Sequence, residues 1–104
     1  MDPWIASLTG TGDPARAAAT AEEALRKGAG LRFDAEIGGF ARPERERALA
    51  ARGAGEAEIA ELESLFTALD AIAYAPPETR RADAKVAIAS ARRVLERYRK
   101  ELLP

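Results

Sequence analysis

LFTALDAIAYAPPETRRADAKVAI, residues Leu65–Ile88, decides how this chain folds. Apolar residues at helical spacing run into Tyr74, prolines follow at Pro76 and Pro77, and a second helical pattern restarts among Arg80 and Arg81. Upstream, Ile59, Leu62, Leu65, Phe66, Leu69, Ile72 and Ala73 recur every three or four residues, the period of one helix face. Downstream, Ala84, Ile88, Ala91, Leu95, Tyr98 and Leu102 step alternately by four and three, a seam pattern. The spacing predicts helices over residues 56–75 and 78–102, each roughly 30 Å or longer at about 1.5 Å per residue. A proline disfavours helical geometry in the residue before it, so Pro76 and Pro77 end the first helix. The second starts with Pro77 at its first position or with Thr79 as its cap. A connection this short folds the pair into an antiparallel hairpin. Charge agrees: Glu56, Glu58, Glu61, Glu63 and Asp70 precede the corner without a base, whereas the chain from Arg80 onward sums to +5 and residues 1–79 to −6, giving the overall −1.

Toward the N-terminus, Asp13-Pro14 reads as a helix start, with Asp13 as N-cap and Pro14 at the first helical position. That helix is expected over 14–27, ending at Gly28, which can take the left-handed conformation. Residues 28–42 are expected to be irregular, either two short extended pieces or a helical turn over Asp34–Ile37. A further helix is expected over 43–52, stopping before Gly53, with its PERER start and the acids of the next helix facing water. Residues 1–12 are expected to form an arm ahead of a single helical domain at 13–104. The fold expected is all-α: a small four-helix, bundle-like domain built on the long hairpin of its last two helices.

Composition removes many chemistries. With 104 residues, 47% hydrophobic and 32% charged, the chain can hold one modest core. Cysteine and histidine are both absent, which removes disulfides, thiol chemistry, the commonest general base and the commonest transition-metal ligand. No window approaches the roughly 18 apolar residues of a membrane span, and MDPWIASL has neither the basic start nor the apolar stretch of a signal peptide. Gly10-Thr11-Gly12 lacks the lysine and hydroxyl residue of a phosphate loop. Ser7, Ser64 and Ser90 have no histidine to activate them. The expectation is a chain with no catalytic, cofactor-binding or metal-ligating residues.

What remains is surface. Trp4, Phe33 and Phe40 lie outside the strongest helical patterns and either cap the core or, where exposed, form an interaction patch. Tyr74 is expected to pack beside the corner with its hydroxyl reaching water or a carbonyl. Arg80 and Arg81 fall in the first turn of the last helix, where the dipole disfavours cations, a mismatch that an acidic partner would relieve. These six residues are the candidate interaction surface. The bases of the last helix could instead contact phosphates, although apart from Tyr98, which belongs to the seam, no aromatic or amide residues interleave with them to stack on or read nucleotides.

LESLFTALDAIAYAPPETRRADAKVAIASARRVLERYRKEL, Leu62–Leu102, resembles the small C-terminal helical domain of bacterial membrane-anchored transglutaminase-like proteins and the helical tail of BatD-type aerotolerance proteins. The resemblance covers 57–102 and rests on apolar spacing, Tyr74 and an Arg- and Ala-rich final helix. It departs where that family has glycine after the tyrosine and this chain has Ala75-Pro76-Pro77, and residues 32–42 have no clear counterpart. The resemblance implies a domain of unknown function at the cytoplasmic side of a membrane, or a free cytoplasmic relative, with no catalytic residues to carry over. The abundance of Ala, Arg and Glu fits a bacterial source. The functional expectation is a non-catalytic protein-interaction or structural module that binds a protein partner or itself; the alternative is a nucleic-acid-binding accessory domain using the basic face of the last helix.

Overall fold

The computed structural model describes residues 13–38 and 41–102. Four helices follow in order: α1 (Pro14–Phe33), α2 (Arg42–Ala51), α3 (Glu56–Ala71) and α4 (Pro77–Leu102), with a 3₁₀ turn over Ile72–Tyr74 extending α3. No strand occurs among the described residues. The body measures 40 × 31 × 21 Å. Its long dimension is that of the 26-residue α4, about 39 Å at roughly 1.5 Å per residue.

Local chemistry sets the helix ends. The Asp13 carboxylate accepts from the N–H of Ala15 at 3.0 Å and of Arg16 at 3.4 Å, and Pro14 stands at the first position of α1. At the end of α2 the Ala54 N–H donates to the Leu49 carbonyl and the Gly53 N–H to that of Ala50, both at 3.1 Å. Gly53 sits at φ +91°, which only glycine adopts without strain. This is a Schellman ending, and Ala54 and Leu49 bury their side chains together in the core, as such endings favour. Glu58 reaches back to the Gly55 N–H at 3.5 Å and closes the start of α3.

α1 does not stop at Gly28. It continues to Phe33 and ends where Asp34 turns left-handed (φ 52°, ψ 50°), with the Asp34 and Ala35 N–H groups both donating to the Gly30 carbonyl. Two glycines in a helix cost about 1 kcal/mol each relative to alanine. Burying Ala29 and Phe33 against the body offsets that cost. Residues 34–38 are then irregular, neither paired strands nor a helical turn, and Ile37 plugs the core.

Pairing also differs from the hairpin reading. α1 packs most extensively against α4, and the α3–α4 contact is the lesser one. Small residues explain it. Ala18, Ala21, Gly28 and Ala29 line the buried side of α1, and Ala84, Ala87 and Ala91 line that of α4. Small side chains on both helices let the backbones approach closely. Leu25, Leu62, Leu69, Leu95 and Tyr98 fill the core, where Tyr98 meets Phe33 edge-on with ring centroids 5.6 Å apart. Within the predicted stripes, Ala73 and Leu102 lie exposed, because the 3₁₀ turn rotates Ala73 outward and Leu102 is the last helical residue.

Acidic α3 and basic α4 meet through Glu61 and Arg97, whose Nη1 donates to Glu61 Oε2 at 3.4 Å while Nη2 pairs with Oε1. Arg32 at the end of α1 pairs with Glu101 near the end of α4. Both guanidiniums are held further into the charged form by their carboxylate partners.

Candidate functional site

Glu63 and Arg45 overturn the expectation that these charged helix faces meet water: Glu63 is 2% exposed and Arg45 8%. Arg45 lies one turn before Leu49 on α2, and Glu63 lies one turn before Phe66 on α3, so both project inward. The Arg45 Nε–H donates to Glu63 Oε1 and Nη2 to Oε2, both at 2.6 Å, a bidentate pair. Glu63 holds Arg45 above the ordinary guanidinium range. The Arg45 and Arg26 guanidiniums lie 4.5 and 5.6 Å from the centroid of the Phe66 ring, within cation–π reach.

Beside this pair, Glu22 of α1 binds Arg26 Nη2 at 3.1 Å. Burial, followed by a shared hydrogen bond with Asp70 of α3 and its charge, pushes the Glu22 carboxyl up to about 7, against the pull of Arg26. The cluster ties α1, α2 and α3 together, and its arginines occupy the carboxylate oxygens of Glu22 and Glu63. Among the described residues no group of three or more acidic side chains converges to hold a metal. Clefts of about 530 and 570 Å³ reach Glu63 and Arg26 at the edges of the cluster.

Further open surface lies where α3 and α4 part. A groove of about 380 Å³ runs between them, lined by Leu65, Ala68, Ile72, Ala75, Val86 and Ser90 among others. Val86, on its α4 edge, is 69% exposed, and Tyr74, between the lining residues Ile72 and Ala75 in sequence, is 89% exposed. The corner is built as the prolines require. Ala75 is extended (φ −69°, ψ 149°), Pro77 takes the first position of α4, and the Pro76 carbonyl accepts from the N–H groups of Thr79 and Arg80.

The six sequence candidates divide. Trp4 and Phe40 fall outside the described residues. Phe33 belongs to the core at 6% exposure, since α1 continues far enough to carry it onto Tyr98, so it offers no surface. Tyr74 does not pack beside the turn, because the 3₁₀ turn swings its ring outward. Arg80 folds back and donates from Nε and Nη2 to the Ala75 carbonyl at 3.2 and 2.8 Å, so its place against the dipole has a local structural reason. Arg81 stays exposed. The structure therefore brings Tyr74, Arg80 and Arg81 to one corner.

Sequence reasoning passed over Val86, while the bases of the last helix beyond it were read only as possible phosphate contacts. Arg81, Lys85, Arg92 and Arg93 make no ion pair among the described residues, and Arg93 instead donates to Ser90 Oγ at 3.0 Å on the groove edge. Val86 was legible as an apolar residue out of register with the Ala84–Ala91 face. No helix among the described residues is long and apolar enough to cross a membrane. No family model, curated protein or solved structure matches the chain.

Proposed function

We propose that this domain is a non-catalytic protein-interaction module whose docking surface is the groove between α3 and α4. The observation that carries the reading is the exposure of Tyr74 and Val86 beside an open apolar groove, in a chain whose other large apolar side chains are mostly committed to the core. Aromatic and aliphatic anchors over a preformed groove are what protein interfaces use at their centres. The resemblance of residues 57–102 to appended domains of bacterial membrane-associated proteins supports the same role at the cytoplasmic side of a membrane. It bears on location more than on partner.

A photo-crosslinking residue at Val86, compared with one at exposed Arg47 on α2, tests the reading. The expected outcome in cells is a discrete protein adduct from position 86 that Tyr74→Ser removes, with no adduct from position 47. Equal, diffuse labelling from both positions refutes it.

A second reading, nucleic-acid binding, draws on Arg81, Lys85, Arg92 and Arg93 of α4, which make no ion pair among the described residues. It predicts binding to an oligonucleotide that falls steeply with salt and is insensitive to Val86→Ser.

A further inference from the structure

We infer that the partner is a short acidic amphipathic helix lying along the outer face of α4. The inference rests on the docking reading above and adds the chemistry of the occupant. Ala82, Val86 and Ala89 are all exposed and, stepping by four and three, form one apolar ridge along α4. Val86 also lines the groove, so the ridge borders the apolar side chains of α3 there. Small residues on the ridge let an incoming helix approach closely, as alanines do between α1 and α4.

Charge identifies the occupant. Lys85 and Arg92, seven residues apart, flank one side of the ridge, and Arg93 continues it one turn beyond Ala89. None of these cations has an anionic partner among the described residues. An under-satisfied guanidinium gains more from an arriving carboxylate than one already paired with acid. A helix with apolar residues on one face and Asp or Glu on its flank meets ridge and cations together.

The boundaries of the face decide between acidic partners. Exposed Glu78 and Glu96 lie on the same side of α4, before and after Lys85 and Arg92, while exposed Asp83 stands on the groove side and Arg97, Arg99 and Lys100 follow beyond Glu96. The stretch from Arg81 to Arg93 spans about 18 Å at roughly 1.5 Å per residue, about three helical turns. An extended anionic surface, such as a lipid headgroup layer or a nucleic-acid backbone, would overrun both glutamates. A phosphate backbone would also leave Val86 without an apolar partner. A three-turn acidic helix fits between them.

The test uses two stapled 15-residue helical peptides with the same leucine face, one carrying Glu on its flanks and one Lys, read by fluorescence anisotropy at low salt. The Glu peptide is expected to bind at least ten-fold more tightly than the Lys peptide. Lys85→Glu with Arg92→Glu and Arg93→Glu should reverse that preference, and Val86→Ser should weaken the Glu peptide. Lys85→Glu with Arg93→Glu, both at exposed positions, keeps the test intact if the Arg92 substitution disturbs folding. Equal binding of the two peptides overturns the inference. So does tighter binding of a 15-nucleotide strand or of phosphatidylserine vesicles that ignores Val86→Ser. The crosslink separates the two levels: an adduct at Val86 that persists in the Lys85→Glu/Arg93→Glu variant overturns the acidic partner and leaves the docking reading standing, and loss of any adduct in the unmodified sequence overturns the docking reading itself.

Discussion

Removing one half of the Arg45–Glu63 pair is the perturbation with the largest expected effect on this fold. Both side chains are almost fully buried and joined by two 2.6 Å hydrogen bonds. Arg45→Met leaves the Glu63 carboxylate enclosed, with Arg42 Nε at 3.9 Å as its remaining cation. Breaking a buried pair this way costs about 3–5 kcal/mol, because the abandoned charge has lost its water and gained nothing. A chain of this size holds about 5–15 kcal/mol in total, so the loss is a large share. At about 4 °C or more per kcal/mol, the melting midpoint should fall by at least about 12 °C. Replacing both, as Arg45→Met with Glu63→Leu, should recover most of the loss, since an apolar pair of similar volume is often as stable as the ion pair. Urea denaturation of the two single variants and the double variant, followed by circular dichroism, gives the coupling energy directly. A single variant within about 1 kcal/mol of the parent would mean that the pair is solvated, and the reasoning fails.

Glu22 predicts an unusual pH response. Its carboxyl is raised to about 7 in the folded chain against 4.5 ordinarily, so between those values the native state holds a proton that the unfolded state has released. Stability from this group is therefore complete below pH 4.5 and declines as pH rises through 7, driven first by burial and then by Asp70, and opposed by Arg26. Glu22→Gln should flatten denaturation midpoints across that window; an unchanged slope would refute the assignment. Arg80→Gln should cost about 1 kcal/mol by removing the bonds to the Ala75 carbonyl, whereas Arg81→Gln should cost nothing measurable, as paired thermal melts will show. The Tyr98 hydroxyl is buried without a partner among the described residues, and burial lifts it to about 12 despite Arg97 over the ring. Tyr98→Phe should leave stability unchanged or raise it by up to about 1 kcal/mol, and a loss beyond about 1.5 kcal/mol in urea would show that the hydroxyl is bonded.

Punctuation was the legible part of the sequence. Asp13-Pro14, Gly53 and Pro76-Pro77 each act through a backbone constraint that is local, so each stands where the residues alone place it. The α3 stripe was legible because large apolar residues announce their face. Alanine does not: it contributes little burial energy per residue, and its effect, close approach, depends on a second helix far away in sequence. The α1–α4 pairing and the passage of α1 through Gly28 and Gly30 were hidden for that reason. At Gly30 the close fit extends to the backbone, since a side chain there would meet the Ala35 carbonyl at 3.0 Å. Arg45 and Glu63 were hidden inside charged runs. Ile59, Glu63 and Phe66 share one row of α3 and Arg45 shares a row of α2 with Leu49, and opposite charges on two such inward rows are the signal to look for. Of the candidate site, the corner was legible from its prolines. The outward turn of Tyr74 was not, because it depends on a 3₁₀ turn that periodicity does not report.

The preference of α1 for α4 also governs the birth of the molecule. Among the described helices, the first to leave the ribosome is the partner of the last, and about 40 residues separate them. At about 5–20 residues per second, α1 waits several seconds with its alanine face uncovered. Its neighbour in time, α3, emerges sooner and already packs on α1, so part of that helix is covered before α4 arrives.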